Sequence, residues 1–346
     1  MSVKTVVKHR FFTYKELVTK LKNKGLAIIN EFKLTHCLEL YNYQNIINGY
    51  KKPFLTEYFY KKYLPNANSQ MIIDFFNFNR EISKILISDL QSIEMWLSSL
   101  ISYKLMEIVN QLHPGEITIS ALSNNEKVQL FKTNSNWKII SQSLQKNFDE
   151  LKANKEYIDS HWINWEEVPL YSLSLLWTFG VLTKLFVCLN DEIQHQILEK
   201  FIPIKNINIQ TFISLLYCFK DLRNKISHHE PIYQFKFEIS KITYKICLLN
   251  SQVNQQQLKR IILSDITQFL PGNNNSKNDF KLGWIVKIIA SITNNLKLIN
   301  LFKQKTKKLE ITISGGFIID ETSNAIFLPC PKAWENIRNF LGYVED

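Results

Sequence analysis

Apolar residues recur along most of this chain at spacings of three and four, the pattern of helices that bury one face, and strict alternation is confined to its C-terminal end. Thr13 to Gly25 reads as a short helix, with Thr13 and Glu16 at capping-box spacing and Gly25 as its stop. Phe32 to Asn48 reads as a second, closing at Gly49. A long helix is predicted from about Phe75 to Gln111, ended by His113-Pro114-Gly115. Weaker helical segments fill the polar stretch from Ser123 to Lys155. One apolar helix is predicted over Leu170 to Asn190, then one over Gln210 to His229. After Pro231 the pattern resumes as helix to about Asn250, with another over Ser251 to Leu270. Pro271-Gly272-Asn273-Asn274-Asn275-Ser276 is the best boundary candidate. Beyond it come a helix from Phe280 to Lys305 and an alternating run, Leu309 to Ile319, interrupted by Gly315-Gly316. Alternation resumes at Ala325 to Leu328, so a small hairpin is predicted there. The fold class is therefore all-α: a helical region over 1–70, a helical core over 71–250, and a helical extension over 251–346 with room for a β-hairpin. The sequence contains no internal repeat.

Composition narrows the function classes. With 346 residues, 45% of them hydrophobic, the chain can bury a full core, which excludes a disordered tail. A formal charge of +11 favours a polyanionic partner, and its lysines are spread along the chain instead of flanking an apolar anchor, so nucleic acid fits better than membrane. The longest apolar run, Pro169 to Leu189, is interrupted by Thr178, Gly180 and Lys184 and reads as a buried helix, not a span. Cys37, Cys188, Cys218, Cys247 and Cys330 are far apart, with no C-x-x-C pair and no zinc-finger spacing, so no metal site is expected. Reduced thiols and the absence of a secretory leader pattern point to the cytoplasm.

The densest chemistry lies in Asp221-Leu222-Arg223-Asn224-Lys225-Ile226-Ser227-His228-His229-Glu230-Pro231. An imidazole moves protons near neutral pH and a guanidinium holds phosphate oxygens, so the pairing supplies the parts for cutting a phosphodiester without a metal ion. Arg223 falls inside the apolar stripe of Phe212, Leu216, Phe219 and Ile226, where it needs an acidic partner or a phosphate. Glu94 lies in an apolar sector of the long helix with Leu90, Leu97 and Ile101, and the two lone charges suit each other. Such a pair can equally orient two helices and serve no chemistry. If it does pair, replacing Glu94 by Gln is expected to cost stability more than chemistry. The histidines have two readings as well: they can cap carbonyls at a helix end, or use the C-terminal dipole, which favours a protonated imidazole, to act as general acid. Residues five apart on a helix point about 140° away from each other. Arg223 and His228 would meet more easily across a two-fold axis, or if Glu230-Pro231 unwound the last turn.

Five ordered segments carry a resemblance. They are Tyr14-Lys15-Glu16-Leu17 with Lys24-Gly25-Leu26; Leu40-Tyr41-Asn42-Tyr43 with Gly49-Tyr50 and Pro53-Phe54; Phe78-Asn79-Arg80-Glu81 with Ile93-Glu94; Trp177-Thr178-Phe179-Gly180; and Leu222-Arg223-Asn224 with His228-His229-Glu230. Together they resemble the Abi-like family of bacterial abortive-infection proteins, the AbiD/AbiF type, whose core carries the R-x4-6-H motif of HEPN ribonucleases. Two positions depart from the family pattern: Lys225-Ile226-Ser227, where a small residue usually precedes the histidines, and Gln44, where an Arg often follows a Tyr-Tyr pair. The resemblance implies a HEPN-like helical bundle and a metal-independent endoribonuclease used in phage defence, with no cofactor. It implies Arg223 and His228 as the catalytic pair and Asn224 as a polar supporter, with His229 and Glu94 as further candidates. It also implies a homodimer and, for some members, a small structured non-coding RNA as partner.

The N-terminal region suits RNA. Lys4, Lys8, Arg10, Lys15, Lys20, Lys22 and Lys24 stand against the single acid Glu16, and Tyr43 and Tyr50 interleave with Lys51, Lys52, Lys61 and Lys62. Lysines hold phosphates while rings stack on unpaired bases, in binding that weakens steeply with salt. The bland reading is that these tyrosines are core or rim residues. An alternative function from another class therefore stands beside the enzyme: a non-catalytic RNA-binding or regulatory module of a defence or toxin-antitoxin system.

Overall fold

The computed structural model describes residues 11–56, 62–153, 162–201, 207–243, 254–267, 279–314, 319–320, 325–326 and 328–342. The fold is all-α, as the periodicity predicts, with strands of two or three residues only among the described segments. α1 (Tyr14–Asn23) starts at the predicted capping box, in which the Glu16 carboxylate accepts the Thr13 N–H at 2.8 Å. α2 (Glu31–Tyr43) runs into a π-helical turn, Gln44–Asn48, through a kink at Asn42 (φ 58°, ψ 163°). That backbone conformation is strained for a residue with a side chain, and the Asn42 carboxamide accepts the Asn45 N–H at 2.9 Å across the kink.

α3 (Ser69–Leu112) is the spine, 44 residues and so about 66 Å long. It begins earlier than periodicity predicts because Asn68 caps it, accepting the Met71 N–H at 3.0 Å. Met71, Ile72, Ile73, Phe75, Phe76 and Phe78 are all buried and only Asp74 and Asn77 between them reach solvent, so the apolar face here is too wide to read as a single stripe. Further along, Ile82, Leu86, Leu90, Ile93, Leu97, Ile101 and Leu105 form the single buried stripe of an ordinary amphipathic helix. α4 (Asn124–Leu130) and α5 (Asn134–Ala153) follow. The predicted Leu170 to Asn190 helix is divided into α6 (Leu170–Leu173), a 3-10 turn and α7 (Phe179–Cys188), because the Thr178 hydroxyl accepts the Val181 N–H and starts a fresh helix. α8 (Asp191–Phe201) and α9 (Ile209–Ser227) complete the bundle around α3.

Past Pro231 the chain departs from the predicted helix. It makes a 3-10 turn at Ile232–Gln234 and strand β1 (Lys236–Glu238), antiparallel to β2 (Asp279–Lys281), before helix resumes at 239–243. α10 (Gln255–Thr267) lies along α9, where Asp265 accepts the Thr211 hydroxyl at 2.6 Å. The predicted Phe280 to Lys305 helix is two, α11 (Leu282–Thr293) and α12 (Leu296–Ser314), separated at Asn294 in the left-handed region. Leu309 to Ser314, marked as strand by alternation, belongs to α12, since Leu309 and Ile313 are four apart and buried on one face. A short hairpin does form nearby, from β3 (Ile319–Asp320) and β4 (Ala325–Ile326). α13 (Pro331–Leu341) ends the described chain. The Pro271 to Ser276 boundary candidate lies outside the described residues.

The C-terminal helices pack on the spine itself. Asn295 donates to both oxygens of Asp89 at 3.0 and 3.2 Å, Lys305 pairs with Glu81 at 2.9 Å, and Asn336 reaches the Pro53 carbonyl at 2.8 Å. Cys188, Cys218 and Cys330 are buried free thiols, and burial pushes Cys188 up to about 11, which keeps it protonated and unreactive. Among the described residues no helix is long and apolar enough to cross a membrane.

Candidate functional site

α9 carries the candidate chemistry because its apolar face seats it against α3 and α7 while its C-terminal turn reaches the surface. Leu216, Phe219 and Leu222 are fully buried, and Ile226 nearly so. The helix ends in a Schellman turn: the Glu230 N–H donates to the Lys225 carbonyl at 2.9 Å and the His229 N–H to the Ile226 carbonyl at 3.0 Å. This closure puts His229 in the left-handed region, at φ 56°, where glycine is the usual occupant. Lys225 and Glu230 form an ion pair across the same turn, and Pro231 prevents further helix. His228 is the C-cap, its N–H bonded to the Asn224 carbonyl at 3.0 Å and its side chain exposed.

Arg223 and Glu94 do meet. The guanidinium Nε lies 3.8 Å from Glu94 Oε2, with side chains 33% and 15% exposed. Burial raises the Glu94 carboxyl above its ordinary value, offset in part by Arg223 and by the backbone N–H of Phe179 at the start of α7. Arg223 Nε is buried and makes no hydrogen bond among the described residues, and the same holds for the indole N–H of Trp177 just before the Thr178 cap. The arginine is therefore held by charge while retaining hydrogen-bonding capacity.

Arg223 and His228 do not converge within one chain. The helix stays regular to Ser227, so unwinding of the last turn does not occur and the two side chains leave α9 on opposing faces. The histidine face, with Asp221, Asn224, Lys225 and His228, lines a cleft of about 360 Å³ whose other wall is the turn and strand from Gln234 to Glu238. This cleft combines residues close in sequence with a strand that periodicity assigned to helix, so nothing local announced it.

The turn after the histidines is fastened from the distant N-terminal part of α3. Buried Asn79 accepts the N–H groups of Ile232 and Tyr233 at 3.0 and 3.2 Å. The Tyr233 hydroxyl donates to the Gly49 carbonyl at 2.9 Å, and a Cβ at Gly49 would stand 3.1 Å from the Pro231 ring. Asn79 stands in one of the segments that carry the resemblance, where it had no role; the signal was a carboxamide seven residues after Ile72, four after Phe75 and three before Ile82, and so on the apolar face of the helix. Arg80 donates to the Tyr41 hydroxyl at 2.7 Å with its guanidinium 4.7 Å from that ring.

The RNA-contact candidates divide. Tyr50 is corrected to a core residue: 2% exposed and packed on Phe75, Phe76 and Tyr233, its ring cannot stack on a base, and burial raises its hydroxyl far above the usual range. Tyr43 is half-buried, with the Lys20 ammonium 6.0 Å from its ring. Lys51 is half-buried and bonded to the Asn48 side chain, and Lys52 lies 5.0 Å over Phe340. Lys62 is exposed, and Lys61 lies outside the described residues. Among the described residues no group of His, Cys, Asp and Glu converges as a metal site.

Residues 36–234, more than half of the chain, match a family model described as Abi-like protein. No curated protein and no solved structure matches the chain.

Proposed function

This chain belongs to the Abi-like protein family, which ties it to abortive-infection defence, and from that premise we propose that it is a metal-independent endoribonuclease of the HEPN type acting on RNA during phage infection. The observation that carries the reading is the half-buried Arg223, balanced by Glu94 and with its Nε unbonded, on the same helix whose last turn presents an exposed His228. In the reaction the RNA 2′-hydroxyl attacks the adjacent phosphorus and the P–O5′ bond breaks. His228 takes the 2′ proton or delivers one to the departing 5′ oxygen, and Arg223 stabilises the charge on the phosphorane-like transition state. The products are a 2′,3′-cyclic phosphate and a 5′-hydroxyl, and DNA is not cut. Asn224, exposed beside His228, is a polar support. Because the two side chains leave opposing faces of α9, a working site takes Arg223 from one copy and His228 from another in a two-fold dimer. A structured RNA held by the basic N-terminal region, Lys51, Lys52, Lys61 and Lys62 with Tyr43, restrains the enzyme between infections.

A second reading, a non-catalytic RNA-binding module, draws on the same pair, since Glu94 and Arg223 also brace α3 against α9. The deciding experiment is cleavage of RNA by the purified protein in EDTA, with Arg223→Ala and His228→Ala alongside. Cleavage by the parent and its loss, by about 10²-fold or more, in both folded variants is the expected result. A folded variant that cuts at the parental rate overturns the assignment, and a parent that binds RNA without cutting it establishes the second reading.

A further inference from the structure

The cleft beside His228 has a chemistry of its own. Its carboxylates are each matched by a lysine: Asp221 with Lys220 at 3.4 Å, Glu230 with Lys225, and Glu238 with Lys241 at 3.8 Å. Among the described residues Lys236, exposed on β1, has no such partner. The cleft thus offers one unbalanced cation, the imidazole, and the side-chain amides of Asn224 and Gln234. One unbalanced charge suits a single phosphate, not a track of them. About 360 Å³ lies in the range of sites for small ligands, about 300–1,000 Å³.

The orientation of Gln234 follows from the bonds around it. The Tyr233 hydroxyl spends its proton on the Gly49 carbonyl, so toward Gln234 it presents only a lone pair, and the Gln234 Nε2 donates to it at 2.5 Å. Gln234 Oε1 is therefore left as a positioned acceptor at the cleft, and the fastening that sets it, from Asn79 and Gly49, is buried and far from the cleft in sequence. An acceptor there complements the exocyclic amine of adenine or cytosine and opposes the carbonyl at the same place on hypoxanthine or uracil.

We infer that this cleft binds one unpaired nucleotide, with Lys236 on its phosphate and Gln234 Oε1 accepting from the amine of an adenine or cytosine base, and so sets the cutting preference of the ribonuclease. The role in cutting rests on the proposed function; the binding does not. The test is calorimetric titration of the full chain with adenosine, cytidine, inosine and uridine 3′-monophosphates. Adenosine and cytidine nucleotides bind about tenfold tighter than inosine and uridine nucleotides, the difference between one hydrogen bond made and two acceptors set against each other. Gln234→Met collapses that ratio to within about twofold, and Lys236→Met weakens every nucleotide about tenfold. Both side chains are exposed, so the fold survives, and Lys146→Ala on the outer face of α5 is the surface control. Equal affinity for adenosine and inosine nucleotides, an unchanged ratio in Gln234→Met, or no binding at millimolar nucleotide overturns the inference. A chain that shows this pattern and cuts no RNA refutes the ribonuclease and leaves the nucleotide site standing. One that cuts RNA without the pattern does the reverse.

Discussion

Glu94 decides how the Arg223 pair behaves with pH, and its sign is opposite to the one expected from sequence. Its carboxyl is raised by burial more than Arg223 and the Phe179 N–H lower it, so the folded state holds the Glu94 proton more tightly than the unfolded chain does. The stability from that preference is fully present below the unfolded value, about 4.3, and is lost as pH rises through the higher folded value. Glu94→Gln mimics the protonated form, so it matches the parent in stability at low pH and exceeds it at neutral pH. Urea denaturation of both proteins across pH 3.5–8 reads the difference directly, and a variant less stable at neutral pH contradicts the sign. His229 is decided by backbone geometry. Glycine fits its left-handed position without the Cβ clash, so His229→Gly is neutral or stabilising by up to about 1 kcal/mol, whereas His229→Val costs about 1–2 kcal/mol. RNA cutting survives in His229→Gly; its loss in the folded variant would move the imidazole from the turn into the chemistry.

At the scale of elements, α3 is where distant segments meet. Tyr41 bonds to Arg80, the turn after the histidines bonds to Asn79, and Arg223 pairs with Glu94, so one helix holds α2, the histidine turn and α9 in fixed relation. Asn79→Ala leaves two buried N–H donors without an acceptor and costs about 2–4 kcal/mol, measured as a shift in the urea midpoint. It also loosens the wall of the His228 cleft, so nucleotide affinity there falls before global unfolding. A variant with parental stability would show that water or another carbonyl replaces the carboxamide. Helix ends were legible where the residue type marks them, by a capping hydroxyl at Thr13 and by a glycine in the left-handed region at Gly25. The start of α3 was not, because from Met71 to Phe78 only Asp74 and Asn77 escape burial, so the apolar face is too wide to show a one-faced period.

For the whole molecule, the opposing directions of Arg223 and His228 make assembly the question. If the site is built between copies, mixing Arg223→Ala with His228→Ala protein restores cutting that neither shows alone, because mixed dimers contain one intact Arg–His combination. Light scattering of the active protein reads a dimer. A monomer that cuts, or mixtures as inert as their components, refutes the shared site. The C-terminal helices bear on this as well. They are fastened to α3 through Asp89 and Glu81, and to the turn at Lys52–Phe54 through the Pro53 carbonyl, so truncating them exposes the spine and is not a neutral trimming of an appendage.

The sequence by itself determined the all-α class, the stripe that seats α9, the pairing of Glu94 with Arg223, and the family, because each rests on local periodicity or on residue types at set spacing. Tertiary structure alone decided that Tyr50 is core, that Leu309 to Ser314 is helix, and that β1 forms the far wall of a cleft beside His228. In each case the outcome depends on what a segment meets from elsewhere in the chain: Phe75 and Tyr233 around Tyr50, a buried face under Leu309 and Ile313, and β2 alongside Lys236–Glu238. Spacing along one chain records which side of a helix a residue occupies. It does not record which residues arrive from a distance to cover that side.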